Sequence, residues 1–180
     1  MHDLNMLAAE IHSAAVEKGF WAVEEAEEKH IAKMHGELSE ALQEDRCGRP
    51  LLYVDDIEVS CAITDPAQFD GRKPEGVAAE LADFVMMLLD WAKARDVVID
   101  DYIKEPMSLA SESLPYFVKT MHEGIVLVSI EYVKKPEQHY AYMARCVEMW
   151  LRKRGVDLWE VIRLKMEYNK SRPALHGRLY

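Results

Sequence analysis

Val77-Ala-Ala-Glu80-Leu-Ala-Asp83-Phe-Val-Met-Met-Leu-Leu-Asp90-Trp91 decides how this chain folds. Val77, Leu81, Phe84, Leu88 and Trp91 recur at helical spacing and form one apolar face. Ala78, Ala79, Ala82, Val85, Met86, Met87 and Leu89 make the other faces apolar too. A helix that is apolar all round belongs in the interior. Glu80 and Asp83 stand three residues apart on it, on one face, roughly 5–6 Å apart at Cβ. An unpaired buried carboxylate is costly, so these acids need a cation, a partner or a proton. The alternatives are an exposed helix edge or pairing with Lys or Arg.

A second acidic doublet precedes the first. Glu37-Leu-Ser-Glu40 has the same spacing, and Glu44 continues its face. These acids lie beside an apolar stripe of Ile31, Met34, Leu38 and Leu42. Alone they read as the solvated face of an amphipathic helix, following Glu24, Glu25, Glu27 and Glu28. Two such helices joined by one connection form an antiparallel pair. All four carboxylates then face inward and suit Mg²⁺, a hard cation that takes oxygen ligands.

The rest of the chain reads as further helices, at about 3–17, 22–46, 112–134, 136–154 and 157–170. The helix carrying Glu80 should begin at Pro74 or Glu75, since proline suits a first turn and Glu75 complements the dipole. It should run to about Arg95, with a short helix at Asp100–Glu105. Between residues 47 and 75 the texture changes. Leu51-Leu-Tyr-Val54 and Ile57-Glu-Val-Ser60 flank Asp55-Asp56 as a short β-hairpin near 51–60. Asp65-Pro66 and Asp70-Gly71 mark turns. The fold class is all-α: one domain over 1–180, built as a helical bundle.

A faint repeat runs through it. Met34-His35 and Glu44 match Met121-His122 and Glu131 at an offset of 87. Trp91, Arg95, Val97 and Ile103 match Trp150, Arg154, Val156 and Ile162 at an offset of 59. The difference is about the length of the 47–75 connection. The pattern reads as a duplicated helical hairpin, with pseudo-repeats of about 1–105 and 110–180. The second copy lacks the acids: Glu37, Glu40, Glu80 and Asp83 fall on Gly124, Leu127, His139 and Tyr142.

Composition excludes several classes. Acids outnumber bases 32 to 22, for a formal charge of −10. No dense Lys/Arg stripe is present, so no nucleic-acid partner is expected. The longest apolar run, Phe84–Leu89, is far short of a membrane span. Cys47, Cys61 and Cys146 are scattered and read as free thiols. With no signal-peptide pattern at Met1–Met6, a cytoplasmic location is expected. Glu27-x-x-His30 lacks the second copy that a di-iron bundle needs.

Near the C-terminus, Lys165-Met-Glu-Tyr-Asn169-Lys-Ser-Arg172 puts Lys165, Asn169 and Arg172 on one helical face. Together they suit phosphate oxygens; the plainer reading is basic charge at a helix C-terminus. These pieces, with Gly19-Phe-Trp21, Lys33–Glu44, Lys73–Asp83 and Lys165–Gly177, resemble the MazG-like nucleoside triphosphate pyrophosphohydrolases, the all-α NTP pyrophosphatase superfamily. The likeness covers about residues 5–95 and 157–178.

The resemblance implies Mg²⁺-dependent hydrolysis (Mn²⁺ as alternative) of a nucleoside triphosphate between the α and β phosphates. It implies metal ligands Glu37, Glu40, Glu80 and Asp83, with Glu37 or Glu40 orienting the attacking water. Lys165, Asn169 and Arg172 would hold the β and γ phosphates. Trp21 would stack on the base or close the pocket, or else serve as a core aromatic beside Phe20. The usual family unit assembles from separate subunits; here the second half is expected to mimic a neighbour, giving one composite site per chain and a homodimer. A phosphoribosyl-ATP-like substrate and a non-catalytic nucleotide sensor are the competing readings.

Overall fold

The structure, a computed structural model, describes residues 3–22, 27–59, 71–99, 109–129 and 136–177. Its elements are α1 (Leu4–Glu17), α2 (Glu27–Arg46), β1 (Tyr53–Val54), β2 (Ile57–Glu58), α3 (Val77–Ala94), α4 (Leu114–Ser129), α5 (Pro136–Arg152) and α6 (Leu158–Ser171). Short 3₁₀ turns cover Leu109–Ser111 and Ala174–Gly177. The fold is all-α with one two-residue hairpin, in which Tyr53 pairs with Glu58 and Val54 with Ile57. Asp55 and Asp56 both take positive φ, 50° and 62°, as a two-residue hairpin turn requires. The expected helix at Asp100–Glu105, the end of the helix predicted to 134, and Cys61 lie outside the described residues.

Helix α3 is the central element. Of its side chains, Ala78, Ala79, Leu81, Ala82, Phe84, Val85, Leu88, Leu89 and Ala92 have no exposure at all. It packs against α1, α2, α5 and α6, so most of the all-round apolar pattern is covered. Asp3 caps α1, its carboxylate accepting from the Asn5 and Met6 amides. Asp157 caps α6 likewise, accepting from Trp159 and Glu160.

One expected helix start is moved. The described part of the helix expected from Ala22 is Glu27–Arg46, and residues 23–26 lie outside the described residues; Ala22 itself lies in a turn, where Gly19 takes φ 84° and the Ala22 amide donates to the Gly19 carbonyl. The helix expected from Pro74 or Glu75 begins at Val77. Glu75 is held extended instead, exchanging backbone hydrogen bonds with Tyr53 at 2.9 and 3.0 Å. Gly76 then reverses the chain at φ 100°. A Cβ there would stand 2.7 Å from the Pro50 carbonyl oxygen and 2.8 Å from that of Leu51. Only glycine fits both the dihedral and the space.

The two central hairpins make corresponding contacts. The His30 ring stacks on Trp91 at 6.5 Å, joining α2 to α3. Phe117, 87 residues after His30, packs on Trp150, 59 after Trp91, at 5.4 Å, joining α4 to α5. Arg95 lies over Trp91 and Arg154 over Trp150. Both helices end in the same cap. Asp96 and Gly155 take positive φ, and the next amides, of Val97 and Val156, return to the carbonyls of Ala92 and Leu151. Between the hairpins, His35 and His122 meet with Nδ1 atoms 2.5 Å apart and rings stacked at 4.7 Å. They stand at corresponding positions of the offset-87 pattern.

Gly76→Ala should lose about 2 kcal/mol or more of stability. Gly36→Ala, inside α2 with nothing within 4 Å of a new Cβ, should gain roughly 0.5–1 kcal/mol from helix propensity. Urea denaturation of the two variants reads both signs.

Candidate functional site

Helices α2 and α3 run antiparallel: His30 meets Trp91 at one end, while Glu37 and Glu40 meet Glu80 towards the other. Met34, Leu38 and Ala41 are fully buried and fix the rotation of α2. That rotation leaves Glu37 and Glu40 at the edge of the contact. Glu80, in the first turn of α3 where the helix dipole favours an anion, is only 7% exposed. Glu37 is half-buried and Glu40 exposed.

One carboxylate oxygen from each of Glu37, Glu40 and Glu80 lies within 4.8 Å of the other two. Opposite ligands of an octahedral Mg²⁺ are about 4.2 Å apart, at about 2.1 Å from the ion. Small rotamer changes therefore suffice for these three to share one ion. Among the described residues no other group of three or more such side chains converges in this way. Glu44 does not join them, because its carboxylate accepts from the Tyr53 hydroxyl at 2.9 Å.

Asp83 is engaged differently from its sequence reading. Its Oδ2 lies 2.5 Å from the Lys165 Nζ. That ammonium also reaches the Pro74 carbonyl oxygen at 3.4 Å, and Lys165 is only 3% exposed. Pairing with a lysine, one alternative open in the sequence, is thus what Asp83 does here.

The electrostatics follow from burial and crowding. Burial pushes the Glu37 carboxyl up to about 8, reinforced by Asp83, Glu40 and Glu80 and opposed by Lys165. Burial pushes Glu80 up to about 7, with Lys165 opposing and Asp83 and Glu40 adding. For Lys165 burial acts downward, but Asp83, Glu80 and Glu37 outweigh it and hold the ammonium charged. Burial and mutual crowding thus raise the proton affinity of both carboxyls, with Lys165 acting against the shift at each.

The three residues expected to grip phosphate are divided. Lys165 lies among the acids. Seven residues on, about 10 Å along the axis, Arg172 turns back onto the C-terminal 3₁₀ turn. Its guanidinium contacts His176 Nδ1 at 2.8 Å and donates to the His176 carbonyl at 3.2 Å and to Asn169 Oδ1 at 3.4 Å. Asn169 and Arg172 are therefore adjacent but joined to each other and to the tail.

Trp21 is fixed at the far end of the α2–α3 seam. Its indole N–H donates to both Asp90 carboxylate oxygens, at 3.1 and 3.2 Å, and its ring stacks on His30 at 4.6 Å. Asp90 also lies 2.6 Å from His12 Nδ1. Burial raises the Asp90 carboxyl, opposed by His12, Trp21 and Lys33. Sequence reasoning missed Asp90 and His12. The available signal was that Asp90 follows Asp83 by seven residues on the same all-apolar helix, hence on the same face.

Comparison of the chain with family models, with curated proteins and with solved structures gives no match.

Glu37 and Glu80 have folded-state values above their ordinary 4.5. They favour the folded state while they retain protons, and that contribution is lost as pH rises from about 4.5 towards 8. The melting temperature of the metal-free protein should fall between about pH 6 and 8.5 more steeply than that of a Glu37→Gln/Glu80→Gln variant. Saturating Mn²⁺ should flatten the wild-type slope. Thermal melts across that range, with and without the ion, check both.

Proposed function

We propose that the chain is a divalent-metal-dependent pyrophosphohydrolase that cleaves a nucleoside triphosphate between its α and β phosphates. The observation that carries this is the convergence of Glu37, Glu40 and Glu80 on one point, with Glu80 buried in a largely apolar helix. The spaced acids and the later Lys165, Asn169 and Arg172 that resemble the MazG-like enzymes support the same reading.

Glu37, Glu40 and Glu80 would hold a Mg²⁺ or Mn²⁺, which would supply charge neutralisation at the phosphate oxygens. Water attacks phosphorus, the bond to the α–β bridging oxygen breaks, and pyrophosphate leaves. Glu37, half-buried at the same point, would take the water proton through a carboxylate oxygen not used on the ion. Glu40, exposed beside it, orients the same water. Lys165 contributes fixed positive charge behind Asp83. Asn169 and Arg172 reach the distal phosphates when Arg172 releases His176. Trp21, two helical turns along the seam and about 10 Å away, forms an aromatic end against which a base can lie.

A panel of NTPs and dNTPs with Mg²⁺, read by nucleotide chromatography and pyrophosphate release, tests the reading. Monophosphate and pyrophosphate are expected in equal amounts. Glu37→Gln or Glu80→Gln should lower kcat/KM by roughly 100-fold or more, the equivalent of about 3 kcal/mol. Orthophosphate in place of pyrophosphate, or binding without turnover across the panel, overturns it; the second result is that of a sensor.

A further inference from the structure

Resting on the metal-dependent reading above, we propose that Lys165 is a resident cation of the acidic site. It occupies, with Asp83, the place a second divalent ion would take. The site therefore binds a single divalent ion, on Glu37, Glu40 and Glu80.

Geometry divides the four acids into two sets. Glu37, Glu40 and Glu80 share one point. Asp83 is outside that group and holds the Lys165 ammonium at 2.5 Å. The lysine is not a surface side chain that happens to reach inward. Its neighbours Val161, Ile162, Leu164 and Met166 are all buried, and the Pro74 carbonyl gives the ammonium a second oxygen. Burial on this scale leaves it no route to solvent while α6 stays packed on α3.

Charge leads to the same division. Four carboxylates carry four negative charges when ionised. One divalent ion and one ammonium cancel three of them, leaving room for attraction to a further cation but no free carboxylate to hold it. A second divalent ion would need Asp83, and would have to sit against the lysine charge in a poorly screened setting. Glu80 and Glu37 also act on Lys165, so the ammonium belongs to the same electrostatic unit as the ion. It is a permanent member of the site, bound covalently rather than drawn from solution.

The test is metal stoichiometry, read by calorimetric titration of the metal-free protein with Mn²⁺ and by electron paramagnetic resonance of the bound ion. Wild-type chain should take one Mn²⁺, with the signal of an isolated ion. Lys165→Met frees Asp83 and should admit a second Mn²⁺, seen as a doubled stoichiometry and a signal broadened by coupling between neighbouring ions. Lys165→Met/Asp83→Asn removes both charges together, so the fold is not left with an unpaired acid. It should return to one uncoupled Mn²⁺, with a Kd within about tenfold of wild type. Two coupled ions in the wild type overturn the inference and leave the metal reading standing. So does a loss of more than about 100-fold in Mn²⁺ affinity in the folded double variant, which would make Asp83 a ligand, or a folded Lys165→Met chain that still takes one ion. No bound Mn²⁺ in the wild type overturns the inference and the metal reading together.

Discussion

The packing of α3 among four other helices is the constraint from which the rest follows. A charge on its covered faces needs an answer. The helix carries three acids, Glu80, Asp83 and Asp90, and each is answered differently. Asp90 is met by the Trp21 indole and the His12 imidazole. Asp83 is met by the Lys165 ammonium. Glu80 is met by other carboxylates, with the Lys165 ammonium as its main opposing charge. A row of acids with direct partners thus ends in a cluster whose carboxylates face one another.

The legible part of this was local. Spacing of three on a helix put Glu37 with Glu40, and the apolar surroundings marked Glu80 as an acid under tension. The antiparallel pairing of the two helices followed from the connection between them. What sequence could not supply was pairing across distance. Asp83 and Lys165 lie 82 positions apart, and nothing near either one announces the other. The periodicity of α6 put Lys165 on a common face with Asn169 and Arg172, but not which end of that face is buried. Local rules also lost to tertiary bonds at the start of α3. Pro74 and Glu75 suit a first helical turn, yet Glu75 gains more by bridging to Tyr53, and the helix waits for Gly76.

The second hairpin shows how a similar frame can do without such a site. At the position matching Glu37, a Cβ on Gly124 would stand 2.5 Å from the Met143 Sδ. Tyr142, at the position matching Asp83, lies beside the buried Cys146, and burial pushes its hydroxyl up to about 12. Side-chain volume fills the space that the first hairpin gives to carboxylates, and close packing needs no cation to complete it.

The contact between His35 and His122 has a consequence for assembly. Each hairpin offers its counterpart the same residue at this point, a histidine that follows a buried methionine (Met34 or Met121) in sequence. A seam built from like against like cannot distinguish one half from the other. Expressed as separate pieces, each hairpin would meet a copy of itself as readily, at this point, as it meets its complement. Discrimination comes from contacts without a counterpart, such as the Lys165–Asp83 pair between α6 and α3, and from the covalent tether, which raises the effective concentration of the right partner. The peptide between α3 and α4 is in this sense a specificity determinant, although it need touch neither the seam nor the acids.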